Sequence, residues 1–509
     1  MRKQQTHTSS RRSPPPRPES FPARIYAETV LAVNFDDARR YFLTALLEMH
    51  AAHTLMLARQ KILTPKDARA CLRALDHLDR AAISKAVYDG KCEDLFFFIE
   101  HRLARLAGED AAGRMHTARS RNDIDLTIYR MALRQEVLKT VEATHRVRQV
   151  LLDLAAKHVD TVMPAYTHTQ PAQPTTLAHY LLAIIEVFGR DEERLRAAFA
   201  TVNRNPLGAC AITTTGFPID REYTARLLGF EGLQVNSYGS IAAIDYVTES
   251  AAAVAVGMVN LGKLVHDFLL WCTAEFGLLR LADGYVQASS IMPQKRNPVS
   301  LEHTRILASK AFGESQAVLT TAHNTPFGDI VDSEDDLQPL VFTAFADANR
   351  ALRLFAGLME HVEVDRERLR RRAACDFLTV TELADTLVRS EGLSFRRAHG
   401  LVSAAVKAAE SDDRASRLAT EVERLAPKIL GRPLAMRRDA ILRALDPVNF
   451  VRVRGIVGGP APRAVAAQIT TARRDLATAA AWINKKRELL ESYQRKLREA
   501  SRDMRRKRR

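Results

Sequence analysis

Only five cysteines occur in 509 residues, Cys71, Cys92, Cys210, Cys272 and Cys375. Their number is odd and none forms a Cys-x-x-Cys pair, which excludes a disulfide framework and a thiolate zinc site and suits reduced thiols in a cytoplasmic setting. No uninterrupted apolar run reaches about 18 residues and no secretory signal is present, so a membrane-spanning segment is not expected. Gly-x-Gly-x-x-Gly, the Walker loop and His-Glu-x-x-His are also missing, as is any internal repeat. Dinucleotide, phosphate-loop and zincin chemistry therefore lack their minimal parts, and neither a cofactor nor a metal is expected.

What the chain has in excess is positive charge, with 75 Lys/Arg against 60 Asp/Glu for a formal +15. Such a balance ordinarily points to nucleic acid. Its distribution argues against that. Residues 1–24 carry six basic side chains against one acidic, and residues 485–509 carry twelve against four, so the two ends hold 13 of the 15 units. The first end, with Pro14-Pro15-Pro16 and Pro18 among Ser and Arg, has too little apolar surface to fold and is expected to be a disordered, solvated extension in preference to a targeting helix. The last, ending Arg505-Arg-Lys-Arg-Arg509, is expected to continue a helix and fray.

A chain of this length can bury a large core divided among about three units. Residues 25–118 read as helices joined by short turns, 119–370 as a domain of long helices, 371–484 as a smaller helical domain and 485–509 as a basic helical tail. Within 246–279, Val254, Met258, Leu261, Val265 and Phe268 recur at steps of four and three, which keeps one apolar stripe on one helical face. Similar long patterns cover 124–158, 176–202, 299–321 and 338–361. Five long helices imply an all-α fold built on a bundle whose ends carry the chemistry.

The most chemically loaded segment is Ser289-Ser290-Ile291-Met292-Pro293-Gln294-Lys295-Arg296-Asn297-Pro298. Two prolines and paired serines make it a loop, with hydroxyls and backbone N–H groups free to meet a ligand. Taken singly, its Ser, Lys and Asn read as an exposed polar surface. Together they supply a base or nucleophile, a fixed cation and an amide donor, which is equipment for handling a carboxylate.

The segment resembles the Gly-Ser-Ser-x-Met-Pro-x-Lys-x-Asn motif of the fumarase/aspartase superfamily, with Ala288 in place of the glycine. Three further strings narrow the resemblance to the argininosuccinate lyase family: His116-Thr-Ala-Arg-Ser-Arg-Asn-Asp123, Met163-Pro-Ala-Tyr-Thr-His-Thr-Gln-Pro-Ala-Gln-Pro174, and Asn205-Pro-Leu-Gly208 followed by Phe217-Pro-Ile-Asp-Arg-Glu222. The resemblance runs over roughly residues 25 to 460. It implies a long-helix lyase fold of three helical domains and a homotetramer with a central bundle, whose sites borrow loops from three chains. It also implies β-elimination of an N-substituted aspartate, with argininosuccinate as leading substrate, to fumarate and an amine. On this resemblance Ser289 is the general base, with Ser290 as second choice. His168, partnered by Glu302, protonates the departing nitrogen, and Lys295 and Asn297 meet the charge that develops on the dicarboxylate. Arg121 and Asn122 anchor carboxylate, His116, Thr167, Gln173, Asn236 and Ser237 make polar contacts, and Arg119 is structural.

Two strings depart from the family pattern. Where the family usually follows Asn-Ser with Ser-Asp-Arg-Asp, this chain reads Asn236-Ser-Tyr-Gly-Ser-Ile-Ala-Ala-Ile-Asp245. The family's Tyr-Asn-Lys-Asp-Leu-Gln-Glu becomes Phe327-Gly-Asp-Ile-Val-Asp-Ser-Glu-Asp-Asp-Leu-Gln338, which lacks the lysine. These changes spare the fumarate half and alter the amine half, so a lyase for another N-substituted aspartate, such as an aminopolycarboxylate, is the alternative. Asp329, Asp332, Glu334, Asp335 and Asp336 suit a cationic amine if they line the pocket, and a solvated loop if they do not. The non-enzymatic alternative is a crystallin-like structural protein.

Overall fold

The computed structural model describes residues 21–409 and 414–506. The expectation for the N-terminal extension falls mostly on residues 1–20, outside the described residues; Arg24 already opens the first helix, Arg24–Tyr26.

Five long helices form the bundle: Arg121–Lys157, Leu177–Val202, Asp245–Trp271, Val299–Ala322 and Gln338–Glu360. The first, at 37 residues, extends roughly 55 Å at 1.5 Å per residue. Its start is fixed by a capping box in which the Ser120 side chain accepts from the Asp123 backbone and the Asp123 carboxylate accepts from the Ser120 backbone. Leu177–Val202 starts on Thr176, whose hydroxyl accepts from His179 N–H at 3.2 Å. The stripe Val254, Met258, Leu261, Val265 and Phe268 is buried throughout, and its helix packs against both Val299–Ala322 and Leu177–Val202. Burial of each such side chain is worth about 1.5–3 kcal/mol, so the stripe sets which face turns inward.

By length and composition Asp245–Trp271 would also suit a membrane span. In this fold half of its most apolar window is buried in the bundle, and its Asp267 accepts from Tyr180 O–H at 2.7 Å. It is a core helix of the bundle.

The main core runs from Phe35 to Leu497 and includes Val465, Ile469, Leu476, Ile483, Leu490 and Tyr493 of the final helix, Pro462–Arg506. The boundary expected at 484/485 is thereby corrected. It falls inside one 45-residue helix, because Ile483, Leu490, Tyr493 and Leu497 continue one apolar face across it. The boundary at 370/371 likewise falls inside the helix Arg366–Ala374, where Leu369 still belongs to the main core. A separate small core, Leu383 to Leu445, joins the helices Val380–Glu391, Phe395–Ala408, Ala415–Leu430 and Arg438–Ala444.

Short two-stranded ribbons occupy the ends of the long helices. β1 (Val162–Thr167) pairs antiparallel with β2 (Gln170–Thr176), with a register shift at Ala165/Tyr166. The motif over 163–174 is thus a hairpin. Pro164, Pro171 and Pro174 are tolerated because both strands are edges, where a missing N–H costs no ladder bond. β3 (Leu279–Arg280) pairs with Glu363–Val364, and β4 (Gln287–Ala288) pairs with β5 (Arg296–Asn297).

Candidate active site

The serine segment is the tip of the β4–β5 ribbon. Its base is anchored where the Arg296 guanidinium ion-pairs with Asp283 and donates to the Leu281 carbonyl at 2.9 Å. At the tip, Ser289 Oγ accepts from the backbone N–H groups of Ile291 at 3.3 Å and Met292 at 3.1 Å. Lys295 N–H closes the turn on the Met292 carbonyl at 3.0 Å. These two N–H donors favour negative charge on the Ser289 oxygen, which a serine needs in order to act as a base. Among the described residues, the Ser290 hydroxyl has no hydrogen-bond partner.

Lys295, Asn297 and Glu302 lie together on the wall of a cavity of about 990 Å³, with Met292 and Gln294 from the same loop. Its other wall includes His266 and Arg305, neither of which the motifs signal. His266 is readable only as a polar interruption on the outward face of the Asp245–Trp271 helix.

His168 and Thr169 form the two-residue tip of the β1–β2 hairpin, both in the left-handed region at φ 50° and 63°. Non-glycine residues at both positions of such a turn are strained, and strain of this kind concentrates at functional sites. Thr167 ends β1 beside His168, and Gln173 of β2 donates to Thr381 Oγ1 at 3.1 Å, tying the hairpin to the small C-terminal core. Within one chain no hydrogen bond or ion pair joins His168 to Glu302 among the described residues.

Arg121 and Asn122 line a separate cavity. The Arg121 guanidinium bonds Glu93 and Asp94, both at 2.9 Å. Partial burial works against its charge, but the bonds from Asp94 and Glu93 outweigh that and hold its pKa above the ordinary arginine value. Asn122 Nδ2 donates to the Ala211 carbonyl at 3.1 Å and to Asp329 at 2.6 Å. Arg121, Asn122, Glu93, Asp94, Asp125, Asp329, Glu334 and Asp335 enclose a cavity of about 230 Å³. Burial, then the charge of neighbouring Asp329, pushes the Glu334 carboxyl up to about 8. Burial, then Asp335 and Asp94, pushes Asp125 up as well. The acidic string of residues 329–335 is thus partly turned inward. Glu93, Asp94 and Asp125 were not sequence candidates. Asp94 is the N-cap of Leu95–Ala107, where it accepts from Phe97 N–H at 2.9 Å.

Arg119 is buried and braces the loop ahead of Arg121, meeting His50 Nδ1 at 2.8 Å and Glu100 at 3.0 Å. His116 sits against Phe96, ring centroids 5.7 Å apart; partial burial and then the Arg119 charge lower its pKa. Asn236 caps the helix Ser237–Ala242 by accepting from Gly239 N–H at 3.1 Å. In the two segments that depart from the family pattern, Tyr238 and Phe327 stack, with centroids 6.0 Å apart.

Asp123 locks the Arg121–Asn122 wall to the loop carrying Asn205–Gly208. One carboxylate oxygen accepts from Ser120 N–H at 2.9 Å, the other from Gly208 N–H at 2.7 Å and Cys210 N–H at 2.9 Å. Burial nonetheless pushes its carboxyl up to about 6, against those hydrogen bonds. Asp123→Ala orphans three N–H groups and is expected to cost about 3–5 kcal/mol of stability, read as a lowered denaturant midpoint. A loss under about 1 kcal/mol would show that the lock is replaceable.

Long helices whose ends present a serine ribbon, a histidine hairpin and an arginine–asparagine turn define a lyase of the fumarase/aspartase type, a superfamily that binds dicarboxylates. Residues 48–313 match the lyase family and residues 377–452 the argininosuccinate lyase C-terminal family. The chain is 43% identical over 446 residues to argininosuccinate lyase 2 of Agrobacterium fabrum, covering 87% of this chain and 88% of that protein. It is 42% identical over 448 residues to argininosuccinate lyase of Methanoculleus marisnigri, covering 88% and 90%. A solved EDDS lyase variant with bound fumarate superposes with a TM-score of 0.84 at 34% identity, covering 94% of this chain and 97% of that one. The 3-carboxy-cis,cis-muconate lactonizing enzyme of Pseudomonas putida shares the fold alone, at TM-score 0.69 and 19% identity, with 89% and 100% covered. The chain belongs to the argininosuccinate lyase family, a family of carbon–nitrogen lyases.

Proposed function

We propose that the protein is a cytoplasmic homotetramer that cleaves argininosuccinate to fumarate and arginine by β-elimination, and that it also runs the reaction backward as an addition. The observation that carries this reading is Ser289 Oγ held by two backbone N–H donors on the same tip as Lys295. The Ser289 alkoxide takes the proton from the carbon next to the carboxylate. Lys295 and Asn297 meet the negative charge that then builds on that carboxylate, which lowers the barrier by fixed electrostatics. The C–N bond breaks as His168, oriented by Glu302, gives its proton to the leaving nitrogen. Ser290, Thr167, His116 and Gln173 contribute polar contacts to the dicarboxylate. Arg121, already paired with Glu93 and Asp94 through one nitrogen, keeps its other guanidinium edge for the substrate.

The tetramer is supported by exposed apolar side chains on adjacent helices, Val256 and Val259 on one and Ile306 and Phe312 on the other. Purified protein is expected to release fumarate from argininosuccinate, followed at the ultraviolet absorbance of the new double bond. Silence in both directions, with arginine, ammonia and diamines all tried as fumarate acceptors, would overturn the reading in favour of a crystallin-like role.

A second reading, a lyase for another N-substituted aspartate such as an aminopolycarboxylate, is favoured by the Tyr238–Phe327 stack and by likeness to EDDS lyase. The acceptor screen separates the two. In either case the carboxylates around Arg121 suit a cationic amine half. Glu334 holds its proton below about 8, and a cation beside it favours the ionised form. The KM for a cationic substrate is therefore expected to fall as pH rises from about 6.5 to 8.5, and Glu334→Gln is expected to remove that trend. An unchanged pH profile in Glu334→Gln would remove the carboxyl from the amine subsite.

A further inference from the structure

We propose that the groove between the final helix and the N-terminal helices is a binding site for an oligophosphate anion, separate from the lyase site. The groove encloses about 460 Å³ between Pro462–Arg506 and the helices Leu43–Arg59, Pro65–His77 and Arg80–Ser84. Its wall carries Arg495, Arg498, Arg502 and Arg505 from the final helix and Arg80 from across the opening. Spacings of three, four and three place the four helical arginines on one stripe.

Three carboxylates, Glu48, Asp76 and Glu499, face these five arginines, so the groove keeps an excess of positive charge. Asp76 pairs with Arg505, while Glu48 accepts from Tyr493 O–H at 2.8 Å and Gln494 Nε2 at 3.1 Å. Glu499 is the acid on the wall with no ion pair among the described residues. Arg80, Arg495, Arg498 and Arg502 have no carboxylate within ion-pair distance among the described residues. Like charges converging on one groove repel each other and are relieved by a multivalent anion, and the planar guanidinium fork matches phosphate oxygens two at a time. A single phosphate would engage one or two of these forks, whereas a triphosphate chain has the length and charge to meet all of them. The floor is apolar, with Leu47, Ala51, Leu72, Leu75 and Leu497, so a ring carried on the phosphate chain has a surface to lie on. None of the lyase-site residues lines this groove, and it accounts for part of the basic excess at the C-terminal end of the chain.

The test is calorimetric titration of the full chain in saturating fumarate with ATP, inorganic tripolyphosphate and sulfate at matched ionic strength. Saturable binding of tripolyphosphate is expected, with sulfate much weaker. Equal affinity for ATP assigns recognition to the phosphate chain alone, and tighter ATP binding adds the apolar floor; either supports the site. Arg498→Glu with Arg502→Glu is expected to weaken binding about tenfold or more. Arg80→Glu, on a different helix, is expected to do the same, so that misfolding of one variant does not decide the result. Binding unchanged in both variants, no saturable binding, or binding of single-stranded oligonucleotide with tripolyphosphate silent would overturn the proposal. None of these outcomes depends on lyase turnover.

Discussion

Ser289→Ala is expected to lower kcat about 10⁴-fold or more while helicity and the oligomer persist, a barrier increase of roughly 5.5 kcal/mol. The size follows from chemistry. Apart from the neighbouring Ser290, the loop offers a carbon-bound proton no other base, since Lys295 is a cation and Asn297 and Gln294 are amides. The fold survives because the side chain lies on a ribbon tip, and its only hydrogen bonds among the described residues are those from Ile291 and Met292 N–H, both of which water can satisfy after the substitution. Ser290→Ala is expected to change kcat less than about tenfold, because among the described residues no backbone donor is aimed at its hydroxyl. The measurement is initial-rate fumarate release with circular dichroism of each variant. Near-normal turnover in Ser289→Ala would remove that residue from the mechanism and leave Ser290 as the next candidate.

The five long helices were legible because apolar residues recur at steps of three and four along them, as from Val254 to Phe268 in one of them, a period that only a helix satisfies. The start of the first was placed at 124, three residues late, because the capping box of Ser120 and Asp123 that begins the helix at Arg121 lies within a polar motif. The hairpin carrying His168 was not legible, since its prolines argue against a strand, and only its position as an isolated two-stranded edge makes them acceptable. The end of the small C-terminal unit was misplaced because the basic residues from Lys485 onward mask an apolar face, Ile483, Leu490, Tyr493 and Leu497, that continues into the main core.

The site itself was legible in part. The serine segment carries its chemistry within ten consecutive residues, so sequence alone exposes it. The surroundings of Arg121 do not work that way. Glu93 and Asp94 reach it from 28 and 27 residues earlier, and Asp329 reaches Asn122 from 207 residues later. Only the packing of the Arg121–Lys157 helix against its neighbours brings those carboxylates together, and no spacing rule encodes it.

The three groups stand apart in one chain. Lys295, Asn297 and Glu302 share one cavity, Arg121 and Asn122 line another with no residue in common, and His168 occupies a hairpin tip on neither. We propose that Ser289 and His168 reach one substrate from different chains, and this can be measured. Ser289→Ala and His168→Ala proteins, each nearly inactive alone, are dissociated, mixed in equal amounts and reassociated. In a random hybrid tetramer a site receives an intact serine from one chain and an intact histidine from another with a probability of about one quarter. Fumarate release should therefore recover to about a quarter of the wild-type rate. Hybrids that form, as native mass analysis would show, yet stay at the sum of the two parents would contradict a site assembled between chains.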